Sequence, residues 1–116
     1  MGMIEQLKEL GVNIDEGLNR FMGNAALYER MLLKLPANVR AQEVLKHFED
    51  GDFQAALEAA HNLKGVTGNL SVTPLYEAYT EAVKLLRENE PEKAKAVVEN
   101  IQPVEEQILN CIENNN

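Results

Sequence analysis

Residues 53 to 70 constrain this chain more than any other stretch. Asp52 can cap a helix, residues 71–74 break one, and no proline interrupts the period between them. With His61 set at zero and each residue advanced by about 100 degrees, Gln54, Leu57, Lys64, Gly65 and Gly68 fall within about 60 degrees of it. Ala56, Ala60, Leu63, Thr67 and Leu70 gather on the opposite side. Such a helix buries a seam of alanines and leucines against its neighbours and leaves His61 facing water. A buried histidine would want apolar residues at i+3 and i+4, and here they are lysine and glycine.

The rest of the chain supplies partners of the same kind. Residues 3–10 read as a short amphipathic helix ended by Gly11, and residues 13–15 offer caps for a segment running towards Met22. Gly23 and Asn24 mark a turn or a cap. Residues 25–35 form a helix that Pro36 stops, and residues 39–48 repeat the apolar pattern before Glu49-Asp50-Gly51. After the break, Thr73 fits an N-cap and Pro74 the first helical position, with the helix continuing to about Asn89. Residues 92–112 form a long last helix in which Pro103 is a kink site. Loops are short, and strand alternation and internal repeats are absent. The expected fold is all-α: an antiparallel up-and-down four-helix bundle with short N-terminal accessory helices. Residues 1–116 read as one domain with a frayed tail at 113–116.

Composition narrows the partners. The net charge is -8, with 11 Lys and Arg against 19 Asp and Glu, so neither nucleic acid nor an anionic membrane is an expected ligand. Cys111 is the only cysteine, which rules out an intramolecular disulfide and fits a reducing compartment. The N-terminal apolar residues are interrupted by Glu5, Lys8 and Glu9, unlike a signal peptide, and no run approaches the length of a membrane span. A cytoplasmic monomer is the expectation.

The His61 face carries the chemistry. Each glycine costs about 1 kcal/mol against alanine inside a helix, so two beside one imidazole indicate that something must come close to it. Imidazole is partly neutral near neutral pH and nucleophilic enough to attack phosphorus. Phosphoryl transfer asks mainly for in-line geometry and neutralised charge, and Lys64 offers a positive charge one turn away.

His61-Asn62-Leu63-Lys64-Gly65 followed by Gly68-Asn69-Leu70 resembles the signature of histidine-containing phosphotransfer (HPt) domains of multistep two-component signalling. Asp15-Glu16-Gly17-Leu18 with Tyr28, and Gly51-Asp52-Phe53, are similar to the same family, so the resemblance spans most of the chain. It implies that His61 accepts a phosphoryl group from a receiver-domain aspartate (or a kinase) and passes it to another receiver, with Lys64 stabilising it. Gly65 and Gly68 would clear room for the receiver, with Gln54 and Leu57 on the same docking face. No cofactor is expected in the chain itself, a divalent metal being expected in the partner receiver. Ser71 stands where the family often has glycine. Many members carry a polar side chain, often glutamine, near the histidine on the next helix, and residues 82–86 offer only Lys84.

Other constellations fit less well. Glu58 and His61 have the Glu-x-x-His spacing of di-iron bundles, but no second such pair exists and His61 faces outward. His47 lies at a charged helix end with no glycine-cleared face. Cys111, next to Ile112 and one turn from Ile108, suits packing. Without a Walker-type loop, ATP-dependent kinase activity is not expected. The competing reading is a helical adaptor that docks a partner through the glycine-cleared face without chemistry.

Overall fold

A computed structural model describes residues 2–114. Eight helices follow one another among them: α1 (Met3–Glu9), α2 (Ile14–Arg20), α3 (Ala25–Leu33), α4 (Leu35–Asn38), α5 (Ala41–Glu49), α6 (Phe53–Asn69), α7 (Thr73–Arg87) and α8 (Pro91–Glu113). Helices α5, α6, α7 and α8 pack in a closed ring, each against its two neighbours, and make the four-helix bundle. Helices α1, α3 and α4, none longer than nine residues, lie against it, and α2 packs on α1 and α3, matching the expected accessory helices.

The caps explain the boundaries. Asn13, Asn24 and Asp52 each accept a hydrogen bond from the backbone N–H three residues on, satisfying a donor that the first helical turn leaves unpaired. Two expected boundaries shift. Pro36 does not end a helix: α3 stops at Leu33, and Pro36 sits in the first turn of α4, where its missing N–H removes no bond. Val72, not Thr73, is the N-cap of α7, which places Pro74 one position further in. Helix α8 runs through Pro103 without a break, the proline ring lying exposed. It also includes Glu113 and is capped by Asn114, so of the tail expected to fray only residues 115–116 remain, outside the described residues.

The core is aliphatic and alanine-rich. Ala56, Ala60, Leu63, Thr67 and Leu70 of the α6 seam are all buried, together with Val83 of α7 and Val98, Ile108 and Ile112 of α8. Thr67 satisfies its hydroxyl by donating to the Leu63 carbonyl at 2.7 Å. Two anchors fix the N-terminal helices to the α6–α7 turn. The Tyr28 hydroxyl donates to the Leu70 carbonyl at 2.8 Å, and the Asn13 N–H donates to the Ser71 carbonyl at 2.9 Å. Burial, assisted by the Glu16 carboxylate, pushes the Tyr28 hydroxyl up to about 12, so it stays a donor throughout the physiological range. Tyr28 fits only because residue 17 is glycine: a Cβ there would collide with the phenol ring.

Candidate functional site

His61 emerges from the middle of α6 on its exposed face. Among the described residues no side chain hydrogen-bonds its imidazole, so both ring nitrogens are open to solvent or to a partner. Around it lies an open groove of about 530 Å³. One wall is α6, contributing His61, Lys64, Gly65 and Gly68. A second wall is α7 with Tyr76 and Glu77, and a third is α2 with Glu16 and Arg20. Ser71 lies where the three meet.

The groove therefore unites His61, Lys64, Gly65 and Gly68, as the helical spacing suggested. Gln54 and Leu57 share the face but lie outside the groove, and Gln54 donates to Glu58 at 3.4 Å. The two glycines differ. A Cβ at Gly65 would meet nothing within 4 Å, so the backbone there is bare towards an approaching molecule. A Cβ at Gly68 would lie 2.9 Å from Cδ1 of Tyr76, whose ring already occupies the space the glycine vacates. Gly68 makes room for a side chain of this chain, which sequence spacing alone could not reveal.

Lys84 is exposed well along α7 and is no part of the groove; Tyr76 and Glu77 form that wall instead. Residue 71 shows why glycine is common there. Ser71 has φ +56°, the left-handed region in which a side chain is strained by about 1–2 kcal/mol. The serine answers with its hydroxyl, which donates to Oε1 of Glu16 at 2.8 Å, and Nε of Arg20 approaches that same oxygen at 3.5 Å. Sequence reading missed Arg20 altogether. Its signal was present in the i, i+4 spacing of Glu16 and Arg20 on a short helix.

The sequence model of the Hpt domain family matches residues 4–114. The chain belongs to that family. Membership carries a role in histidine phosphotransfer within phosphorelays, and Hpt domains interact with receiver domains of two-component proteins. Comparison with curated proteins and with solved structures gave no match. Among the described residues of this Hpt domain no helix is long and apolar enough to cross a membrane. No group of three or more His, Cys, Asp and Glu side chains that could hold a metal ion lies among them.

The other reactive side chains sit elsewhere. His47 is half-buried on α5, beside a small cleft it shares with Arg40 and Asn62. Cys111 is half-buried in α8, its sulfur 3.2 Å from Oε1 of Gln6 on α1, and burial raises its thiol pKa. That thiol is less readily ionised than an ordinary one, which suits packing.

Proposed function

We propose that this Hpt domain relays a phosphoryl group between receiver-domain aspartates through His61. The observation that supports the reading is His61 itself: exposed and unbonded, with Lys64 one turn away and the bare backbone of Gly65 beside it. An imidazole nitrogen attacks the phosphorus of an aspartyl phosphate. The N–P bond forms as the P–O bond to the aspartyl carboxylate breaks, and that carboxylate leaves with the bonding pair. The reverse step returns the group to a second receiver.

Lys64 neutralises charge on the equatorial phosphoryl oxygens, and an ammonium suits this because it needs no fixed fork geometry. Most of the catalysis is positioning, supplied by the docked receiver, so the groove must stay open to a protein. The chain brings no cofactor, and a divalent cation belongs to the receiver.

The test is transfer from radiolabelled phosphorylated receiver domains to the wild-type chain, followed by chase into a second, unlabelled receiver. Label moving onto the chain and then off it supports the relay. Stable binding of a receiver with no label transferred favours a docking adaptor and overturns it.

A further inference from the structure

Arg20 stands at a junction. It lines the His61 groove and also a second, mainly apolar groove of about 520 Å³ walled by Phe21, Met31, Leu35, Val66 and Leu70. Only Asn69 shares that position between the two. Any protein that covers both grooves crosses the Arg20 side chain.

Its guanidinium is held but not used up. Nε faces Oε1 of Glu16 at 3.5 Å, and Glu16 is fixed in turn by the Ser71 hydroxyl at 2.8 Å. The two terminal nitrogens have no hydrogen-bond partner among the described residues, and the side chain is half exposed. With only Nε turned to Glu16, the terminal N–H groups of Arg20 remain available as a planar fork, the geometry that matches a carboxylate.

Charge makes such a fork useful. The chain carries a net charge of -8 and its partner must bring an acyl phosphate towards it. Local cations are what let two anionic surfaces meet. Lys64 lies beside His61 on α6, whereas Arg20 stands on the α2 wall, so the two positive charges need not serve the same anion.

Resting on the relay reading above, we infer that Arg20 is a specificity-determining residue for receiver docking: its guanidinium takes a carboxylate on the receiver surface where the two grooves meet. The phosphoryl group is left to Lys64. Glu16 and Ser71 are positioning residues for it, holding the fork towards the partner.

The experiment is steady-state exchange between wild-type protein and a receiver shown to exchange with it, repeated with Arg20→Glu and Arg20→Lys at low and high ionic strength. Thermal unfolding checks that each variant is folded. Arg20→Glu is expected to raise the KM for the phosphorylated receiver about tenfold at low salt with kcat little changed, the gap narrowing as salt screens it. Arg20→Lys keeps the charge without the fork and should fall between. An unchanged KM in a folded Arg20→Glu protein overturns the inference while leaving the relay intact. A fall in kcat with KM unchanged, or a shorter phosphohistidine lifetime in the variant alone, would place Arg20 on the phosphoryl group and also overturn it. If the wild-type protein exchanges with no receiver, the relay reading fails and this inference fails with it.

Discussion

Helix α7 carries two tyrosines one turn apart that face opposite worlds. Tyr79 is fully buried and donates to Oε1 of Glu105 at 2.5 Å, while the other oxygen of that carboxylate accepts the Ala41 N–H at 2.7 Å at the start of α5. Tyr76 is 38% exposed, its ring resting on Gly68 in the wall of the His61 groove. On the core side, among the described residues, no buried side-chain nitrogen or oxygen is left without a hydrogen-bond partner. On the groove side the imidazole of His61 and the terminal nitrogens of Arg20 have none. A buried polar group must be satisfied within the fold, because leaving it unpaired costs about 1–3 kcal/mol. An exposed one can wait for a molecule that arrives later. The first region ties α5, α7 and α8 together, and the second is where the fold can be spared for function.

The largest expected effect breaks the core side. Glu105→Ala strands both the Tyr79 hydroxyl and the Ala41 N–H, and should cost about 3 kcal/mol in chemical denaturation. Lys64→Ala, on the groove side, should stay within about 1 kcal/mol of wild type while slowing transfer. If Lys64→Ala cost as much as Glu105→Ala, the division between the two faces would collapse. Gly17→Ala comes next, at roughly 1–3 kcal/mol, since its methyl group must push the anchored Tyr28 ring aside.

Acidity sharpens the same comparison. Burial raises the Glu105 carboxyl above the usual carboxylate range, opposed by the Tyr79 and Ala41 hydrogen bonds and by nearby Arg40. Where the folded pKa lies above the unfolded one, the native state holds the extra proton, so stability falls as pH rises from the ordinary carboxylate pKa through the raised one. Thermal unfolding across mildly acidic to neutral pH should show that fall in wild type and a flatter profile in Glu105→Gln. An unchanged profile in the variant would assign the slope to another group.

The smallest effect separates the two glycines. Gly65→Ala should stabilise by roughly 0.4–1 kcal/mol, since the position is helical and its Cβ meets nothing. Gly68→Ala should fall short of that gain because the Tyr76 ring must move. A double-mutant cycle with Tyr76→Ala should recover the difference. Equal gains for both glycines would mean that Tyr76 yields its place freely.

Periodicity made the bundle and the outward face of α6 readable, because both depend on positions a few residues apart on one helix. The caps at Asn13, Asn24 and Asp52 were readable for the same reason. What lay beyond reach came from contacts between distant segments. The Ser71 hydroxyl holds Glu16, 55 residues away, and Tyr79 meets Glu105 across 26. The left-handed backbone at Ser71 was visible only as a departure from the family's usual glycine. Gly68 marks the limit of such reading: a missing side chain shows that space is needed, not that the Tyr76 ring takes part of it.

In the relay proposed above, one exposed histidine, His61, carries the phosphoryl group. The most direct measurement is to phosphorylate the protein from a receiver and map the modified residue by mass spectrometry, alongside His61→Gln. A single phosphohistidine at His61, labile in acid and stable in base, is expected, with no label on the variant. A phosphoryl group on His47, or label that persists in His61→Gln, would contradict it.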